Sequence, residues 1–251
     1  MIVTPIKTHK ITTEDKDIFA VLDKYLPNLE ENSVVVVTSK IVSITEGRIV
    51  KIGSIDKDIL IEQESSYYLP RDVNQYNVSF TITNNTLVPT AGIDESNGNG
   101  YYVLWPEDAQ KSANSIREHV AKKFNLKNIS VIITDSKTTP LRWGVTAIAI
   151  AYSGFVPLRS YIGKPDIFGK NLEYTKMSIM DNLASAAALV MGEGREQTPL
   201  AVIRDIPNIE FQDRNPTQEE LAALKISIDE DLYAPILKNV EWKKGKSSNT
   251  A

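Results

Sequence analysis

The sequence predicts an α+β fold whose sheets are largely antiparallel, and three observations support this prediction. β-Branched or apolar runs at 33–38 and 129–134 are typical of buried strands. The alternating segment 78–83 leads into Asn84 and Asn85, a pair typical of a turn between hairpin strands. Strands follow each other as hairpin neighbours as often as they are separated by helices, which favours α+β over a doubly wound fold.

Capping and breaking residues place the helices. Thr12 is a hydroxyl N-cap that predicts a first helix, which Pro27 ends. Pro106 is expected in the first turn of a central helix. Thr217 and Glu220 form a capping-box pattern that predicts a long final helix. In chain order the predictions are the helix after residue 12, strands at 33–38 and 48–52, a helix at 56–64, strands at 78–83 and 101–104, a helix at 106–124, strands at 129–134 and 145–151, a helix at 175–191, a strand at 200–204, the final helix, and a polar, frayed end at 243–251.

The composition is that of an ordinary globular chain, with 251 residues, 42% hydrophobic and 24% charged. This length allows one large domain or two small ones. We predict a first α+β domain from residues 1–75 with 170–251, and a second from residues 76–169. The net charge of −4 argues against a nucleic-acid-binding protein. No apolar run reaches the about 18 residues needed to cross a bilayer, and the start lacks a secretory signal. A cytoplasmic protein without nucleic-acid or membrane partners is expected.

The absence of cysteine and the scarcity of histidine limit the kinds of metal site and catalytic site that the chain can form. The chain has no cysteine, which excludes disulfides and thiolate metal sites. Its only histidines are His9 and His119, so a histidine-rich zinc site is excluded and serine–histidine catalysis is disfavoured. Neither a P-loop nor a Gly-x-Gly-x-x-Gly turn after a strand is present. A nucleotide would therefore be bound outside those two folds.

Three acidic residues lie in unusually specific contexts. Asp94 lies in a Gly-rich loop with neighbouring hydroxyl and amide groups, Asp135 follows an apolar strand, and Glu193 stands between two glycines at a helix end. Carboxylate oxygens suit Mg²⁺ or Mn²⁺, which bind proteins through a few carboxylates and a substrate phosphate. Ordinary alternatives are an Asx turn at Asp94 and a glycine C-cap beside Glu193. Together the three positions predict a metal site that holds a nucleoside triphosphate.

Two basic residues fit the same interpretation. Lys40 follows Ser39 at the end of a buried strand, where it can neutralise phosphate oxygens. The planar guanidinium of Arg142 suits a carboxylate or phosphate, and we assign it a clamp role from its chemistry alone. The alternatives are a solvated lysine and a surface arginine stacked on Trp143. Asp181, within the helix at 175–191, is expected to be a solvated acid.

In order along the chain, these segments resemble the CofE-like family of γ-glutamyl ligases, whose founding activity is GTP-dependent addition of L-glutamate to coenzyme F420-0. The resemblance covers roughly residues 1–206. It rests on Ser39-Lys40, Glu46-Gly47-Arg48, Gly92-Ile-Asp-Glu-Ser-Asn97, Ile133-Thr-Asp-Ser136, Arg142-Trp-Gly144, Asp166-Ile-Phe-Gly169, Asp181-Asn-Leu-Ala-Ser-Ala-Ala187, Val190-Met-Gly-Glu193, Pro199 and Arg204.

The resemblance implies a fold, partners and residue roles. The fold would be α+β, built as an intertwined homodimer with the nucleotide in a cleft. The ligands would be two Mg²⁺ or Mn²⁺ ions, GTP as co-substrate, L-glutamate and a carboxylate-bearing cofactor precursor, with K⁺ as an additional candidate ion. The implied metal ligands are Asp94, Asp135, Ser136 and Glu193. The implied nucleotide contacts are Lys10, Ile11, Ser39, Lys40, Asn97, Met191, Gly192, Gly194 and Arg195, of which Lys40 is also assigned to catalysis with Arg142.

The sequence departs from the family pattern at three places. Ile44 stands where a second basic residue is common, Glu193 where glutamine is frequent, and Ser136-Lys137-Thr138 where Thr-Phe-Gly is usual. GTP versus ATP and the acceptor, including a folate-like one, are therefore left open. The alternatives to a ligase are a metal-dependent phosphotransferase or nucleotide hydrolase, and a nucleotide-binding relative without ligase activity.

Overall fold

The computed structural model describes residues 1–247 and has mixed α and β architecture. The strands are β1 (Ile2–Ile6), β2 (Ser33–Thr38), β3 (Ile49–Lys51), β4 (Tyr67–Tyr68), β5 (Phe80–Thr83), β6 (Thr86–Pro89), β7 (Tyr101–Val103), β8 (Ile129–Thr138), β9 (Val145–Ser153), β10 (Leu158–Ser160), β11 (Lys176–Ser178), β12 (Leu200–Arg204) and β13 (Lys243–Lys244). The helices are α1 (Ile18–Tyr25), α2 (Ser39–Glu46), α3 (Lys57–Glu64), α4 (Ala109–Phe124), α5 (Ile179–Met191), α6 (Gln218–Ala222) and α7 (Ala234–Leu237), with 3₁₀ turns at Arg71–Val73 and Thr90–Gly92.

The main sheet has the strand order β1-β12-β2-β8-β9. Its neighbours are antiparallel except for β2 and β8, which run parallel from Ser33 opposite Ile129 to Thr38 opposite Thr134. Parallel strands end at the same edge of a sheet, so the residues that follow Thr38 and Thr134 emerge side by side. This one pairing brings the Ser39-Lys40 segment next to Asp135 and Ser136. The prediction of mainly antiparallel sheets is confirmed, and the parallel pair is the exception that forms the site.

The core lies on both faces of the main sheet. Val35 and Val37 of β2 pack with α1 and α4, whereas Val34 and Val36 pack with α5. All four valines are fully buried, which explains why β2 is a continuous apolar run and does not alternate with polar residues. Helix α5 approaches closely through its alanines, and those at 184 and 187 are also fully buried.

Smaller sheets carry the loop that contains Asp94. β13-β4-β5-β6 form one sheet, while β3 pairs with β7 and β10 pairs with β11. Asp94 itself forms an isolated antiparallel bridge with Val103 of β7, with backbone N–H···O distances of 2.9 and 2.8 Å. The loop is therefore anchored to regular structure at the acidic residue.

The main sheet does not follow the predicted domain boundaries. β8 and β9 belong to the predicted second domain, 76–169, yet β8 pairs with β2, so both strands share a sheet with strands of the predicted first domain, 1–75 with 170–251. Long-range pairing of this kind is invisible to local composition. The division into two domains stays a prediction.

Several helices begin or end at residues other than those predicted from the sequence. The first helix starts at Ile18 with Asp17 as its N-cap, not at Thr12. The Thr12 N–H instead donates to Asp15, whose carboxylate also contacts His9. The helix predicted at 175–191 begins only at residue 179, because the three preceding residues form β11, which pairs with β10. The predicted long final helix was wrong: the capping box at residue 217 is present, but α6 ends after five residues.

Three differences concern elements around the site. The Ser39-Lys40 pair, expected at a strand end, opens helix α2, which Gly47 ends in a left-handed C-cap. β8 was expected to end before Asp135, but it continues as far as residue 138 in a long hairpin with β9. The central helix starts at residue 109 with Asp108 as its N-cap, so Pro106 precedes the helix. The polar end contributes β13, and the part of it at 248–251 lies outside the described residues.

In residues 1–247, every helix is too short or too polar to cross a bilayer.

Candidate functional site

A cleft of about 580 Å³ opens at the shared edge of β2 and β8. Its size is that of a small-molecule site. Thr38, the last residue of β2, and Thr134, the residue of β8 that pairs with it, both line the cleft. Every residue predicted to bind metal or nucleotide lines this cleft: Lys10, Ile11, Ser39, Lys40, Asn97, Met191, Gly192, Gly194, Arg195, Asp94, Asp135, Ser136 and Glu193. Their convergence is observed, while their individual roles stay predictions.

Helix α2 presents its N-terminus to the cleft. Thr38 is its N-cap but makes no side-chain capping bond, and Ser39 and Lys40 form its first turn. The first backbone N–H groups of a helix have no intrahelical partners, and the helix dipole adds partial positive charge there. Such an end suits phosphate, and the Lys40 ammonium adds a full positive charge beside it.

Asp94 is held by Lys40 and by its own loop. Its Oδ2 lies 2.5 Å from Lys40 Nζ, and its carboxylate accepts hydrogen bonds from the Ser96 N–H at 2.7 Å and the Ser96 hydroxyl at 3.0 Å. Burial opposes ionisation of this carboxyl group, but Lys40 and the Ser96 donors together hold the pKa of Asp94 below its ordinary value. The Asx-type turn considered from sequence is thus present, and it orients the same carboxylate toward the cleft.

Asp135 lies deeper and has no ion-pair partner within residues 1–247. Trp105 Nε1–H donates to its Oδ2. Burial raises the pKa of Asp135 to about 6; the Trp105 and Ser136 N–H donors oppose this rise, and the nearby charge of Asp94 adds to it. A carboxylate with an unfavourable desolvation cost and a neighbouring acid is a strong ligand for a cation that enters the cleft.

The segment after α5 forms a rim of the cleft. Ser136 Oγ–H donates to Glu193 Oε2 at 2.7 Å, and Asn97 Nδ2–H donates to the Gly194 carbonyl at 3.0 Å. The glycine at 192 has φ +78°, and the side chain of residue 196 occupies the space where a Cβ at 192 would lie. The rim therefore contacts both the end of β8 that contains Asp135 and the loop that contains Asp94, although it lies far from them in sequence.

Arg142 and Asp181 lie outside the lining of the cleft. Arg142 is exposed at the tip of the β8–β9 hairpin and does not line the cleft of a single chain, so its clamp role stays a prediction. Asp181 was expected to be solvated, and this was wrong. It accepts hydrogen bonds from the Ala149 N–H at 3.0 Å and the Ser178 hydroxyl at 2.8 Å, which joins α5 to β9.

Comparison with known proteins identifies the family of this chain. A model of the family described as F420-0:Gamma-glutamyl ligase matches residues 2–205, about four-fifths of the chain. The chain belongs to the F420-0:gamma-glutamyl ligase family. The resemblance found in the sequence is thereby confirmed, and the family match contains every predicted site residue.

Relatives that carry this activity in their names are similar over most of the chain. The chain is 32% identical to the coenzyme F420:L-glutamate ligase of Methanopyrus kandleri, over 72% of this chain and 79% of the relative. It is 31% identical to that of Methanococcus maripaludis over 89% of this chain and 87% of the relative. It is also 31% identical to that of Methanocaldococcus jannaschii over 70% of this chain and 76% of the relative. Residues 206–247 lie outside the family match and form the segment that carries α6, α7 and β13.

The residues present fit the divalent cation that members of this family are expected to use. The Lys40 ammonium already lies against Asp94, which shows that this position accepts a cation. The described part of the chain gathers no group of three His, Asp or Glu side chains that could hold a metal. A site with two carboxylates, Asp94 and Asp135, therefore needs phosphate or water oxygens to complete it, as Mg²⁺ sites on nucleotides commonly do. Ser136 and Glu193 could supply oxygens for a second ion.

Ile44 departs from the family pattern inside the cleft. It is nearly buried in the second turn of α2 and contributes to an apolar part of the lining. The other lysine and arginine residues that line the cleft besides Lys40 are Lys10 and Arg195, and neither forms an ion pair within residues 1–247. Both are therefore available to an anionic ligand.

Sequence reasoning missed the contacts of Trp105 and Glu196. Ser96 was visible as a neighbour of Asp94, and its spacing of two residues is the signal for an Asx turn. Trp105 contacts Asp135 across 30 residues, and no local pattern indicates that contact. Glu196 packs on the glycine at 192, a contact for which the two glycines around residue 193 suggested only a C-cap.

Proposed function

We propose that this protein is a GTP-dependent γ-glutamyl ligase that joins L-glutamate to a carboxylate acceptor, coenzyme F420-0 or a related, folate-like compound, through an acyl phosphate. One observation carries the proposal: the residues expected to bind metal and triphosphate in a member of this family converge in one cleft at the shared edge of β2 and β8. The relatives are named coenzyme F420:L-glutamate ligases, which supports a ligase activity.

The reaction needs charge neutralisation and positioning more than covalent help from the protein. An acceptor carboxylate oxygen would attack the γ-phosphorus while the bond to the GDP oxygen breaks. The amine of L-glutamate would then attack the acyl carbon, and inorganic phosphate would leave. The original ammonium group loses two protons, one before attack and one after. This chemistry fits a chain without cysteine and with only two histidines.

We assign the following roles to side chains that line the cleft. The N-terminus of α2 and Lys40 would bind the phosphates, with Asn97, Lys10 and Ile11 as further nucleotide contacts. Asp94 and Asp135 would hold a divalent cation, which when bound would neutralise charge on the phosphate oxygens. The rim at 191–198, tied to Asn97 and to the serine at 136, would cover the nucleotide and limit the entry of water.

A thermal-shift screen tests nucleotide and metal together. GTP with Mn²⁺ or Mg²⁺ is expected to stabilise the protein by about 2.7 kcal/mol at about 100 times its dissociation constant, and ATP by less at equal concentration. Addition of K⁺ tests the monovalent ion. Stabilisation by neither nucleotide with either metal would contradict the proposal.

A phosphate-release assay separates ligase from its alternatives. A ligase releases phosphate from GTP only when both L-glutamate and the acceptor are present. Release that is independent of glutamate would indicate a phosphotransferase or hydrolase, and tight binding without turnover would indicate a nucleotide-binding relative.

We propose in addition that the protein acts as an intertwined homodimer. The support is a set of large apolar side chains that are almost fully exposed on the β8–β9 hairpin and on the segment between β10 and β11: Leu141, Trp143, Ile167, Phe168 and Tyr174. Exposed apolar residues on this scale mark interaction surfaces.

Sedimentation equilibrium tests the homodimer. The native protein is expected to show a molar mass of twice 28.0 kDa, the mass of one chain. Trp143→Ser with Phe168→Ser should weaken the association. The matched control is Leu232→Ser, because Leu232 is similarly exposed but lies outside the family match. A monomer at micromolar concentration would contradict the proposal.

A further inference from the structure

Trp105 contacts both segments that carry the acidic residues of the cleft, namely the loop that contains Asp94 and the part of β8 that contains Asp135. The residue is 4% exposed, and its Nε1–H donates to Asp135 Oδ2. Its backbone is fixed from the other side, because Arg48 Nε–H donates to the Trp105 carbonyl at 3.2 Å. The residue is therefore held in place by contacts that do not involve the cleft, and Asp135 is the partner of the one polar atom of its ring.

The same ring lies directly against Gly92, two residues before Asp94. A Cβ built on Gly92 would overlap the Nε1 and Cε2 atoms of Trp105, so only glycine leaves room for the indole. Gly92 also has φ +73°, a conformation that other residues rarely adopt. The indole thus fills the space between the start of the Asp94 loop and the Asp135 carboxylate. The width of the ring therefore sets the distance between the loop and this carboxylate.

The chemistry of the indole suits an orienting role. The Trp N–H is a donor only, carries no charge and does not titrate. It can fix rotation of the Asp135 carboxylate, whose terminal torsion is otherwise broad, without neutralising its negative charge. Asp94, in contrast, is held by the charged Lys40. Lys40, the cationic partner of Asp94, must therefore move when a metal binds. Trp105, the neutral partner of Asp135, can stay in place.

We propose that Trp105 is a positioning residue: its N–H orients Asp135, and its ring spaces Asp135 from the Asp94 loop, so that both carboxylates can hold one divalent cation. This inference rests on the proposed function, since it concerns the proposed metal site. It adds a residue that acts on the site through Asp135 and does not contact nucleotide or acceptor.

The test measures Mn²⁺ binding directly, by electron paramagnetic resonance of free Mn²⁺ in the presence of a non-hydrolysable GTP analogue. Trp105→Phe keeps an aromatic ring and removes the N–H. It is expected to raise the Mn²⁺ dissociation constant by about tenfold, the usual effect of removing a partner that orients a metal ligand. The matched control is Trp242→Phe, which removes an indole hydrogen bond to the Leu237 carbonyl in the segment outside the family match and should leave the constant unchanged.

Two further measurements make the result decisive. Gly92→Ala keeps the N–H but displaces the ring, so it should weaken Mn²⁺ binding even if Trp105→Phe does not fold. Paramagnetic Mn²⁺ should also quench the Trp105 fluorescence of the native protein, because the ion would bind the carboxylate that the indole contacts. If the native protein does not bind Mn²⁺ with the analogue, the proposed function fails. If it does bind, and both variants bind Mn²⁺ as tightly as the native protein does, the positioning role is overturned.

Discussion

Asp135→Asn is expected to abolish turnover and at the same time to make the metal-free protein more stable. In the proposed mechanism, turnover is lost because the divalent cation loses one of its negatively charged ligands. Neutralisation of phosphate charge contributes several kcal/mol to such reactions, so we expect the rate to fall by about 10³-fold or more. The substitution is isosteric and keeps an oxygen that can accept the Trp105 N–H, so the fold should survive.

The gain in stability follows from the pKa of Asp135. Burial raises this pKa from 3.8 to about 6, so the folded protein holds the proton more tightly than the unfolded chain does. Stability is therefore highest below the unfolded-state pKa, and it is lost as the pH rises from there through about 6. Above that pH, ionisation of Asp135 lowers the free energy of unfolding by about 3 kcal/mol in total. The amide side chain of the variant carries no charge at any pH and escapes this cost.

The measurement is chemical denaturation of native and variant protein in EDTA between about pH 4 and pH 8, a range that spans the titration of the buried carboxyl group. The curves of the two proteins should be similar near the acidic end and should separate as the pH rises. Mn²⁺ with nucleotide should stabilise the native protein and not the variant. Asp181→Asn is the matched control, because Asp181 binds the Ala149 N–H outside the cleft and its loss should not abolish turnover. Near-native rates in Asp135→Asn would end the metal assignment.

Lys40→Met is expected to change metal and nucleotide affinity in opposite directions. The Lys40 ammonium now lies 2.5 Å from Asp94 Oδ2 and also donates to the Ser96 carbonyl at 2.9 Å. A cation that enters must displace it, so its removal should tighten Mn²⁺ binding in the absence of nucleotide. The same ammonium should move to the phosphates when GTP binds. Loss of a charge-assisted hydrogen bond costs about 1.5–3 kcal/mol, which weakens GTP binding by about 10- to 150-fold.

Isothermal titration with Mn²⁺ alone and then with GTP measures both effects. Lys57→Met is the matched control, because Lys57 pairs with the next acid in the loop, Glu95, and does not line the cleft. It should leave both affinities within about twofold, as expected for a surface ion pair. Unchanged GTP affinity in Lys40→Met would remove Lys40 from the phosphate site. Weaker Mn²⁺ binding would show that Lys40 does not compete for Asp94.

The prediction of the fold succeeded where local signals and tertiary packing agree. The strands at 33–38 and 200–204 were predicted with the bounds that the structure has, because their continuous apolar residues are buried on both faces of the main sheet. The helix at 56–64 was also predicted correctly apart from its N-cap residue, Asp56, which accepts a capping bond from the Asp58 N–H. In these segments, residue type alone carries enough information.

Predictions failed where a distant partner decides the outcome. The hydroxyl and acidic residues at 12–15 look like a helix start, but Asp15 is engaged by His9 and the helix begins only after Asp17. β8 continues through residue 135 because β9 offers ladder partners as far as Val145, opposite Thr138. Helix α2 was not predicted, because it has only eight residues and six of them are buried, which hides the apolar–polar periodicity of a surface helix.

The sequence by itself determined the side chains that are available for the proposed chemistry: carboxylates at 94, 135 and 193, a lysine after a buried strand, only two histidines and no cysteine. Only the tertiary structure decided that these residues meet. The parallel pairing of β2 with β8 brings residue 40 beside residue 135, and an indole ring that packs on Gly92 sets the approach of the Asp94 loop. Both contacts join segments that are separated along the chain, and their energy depends on shape and distance, which a local pattern of residues does not encode.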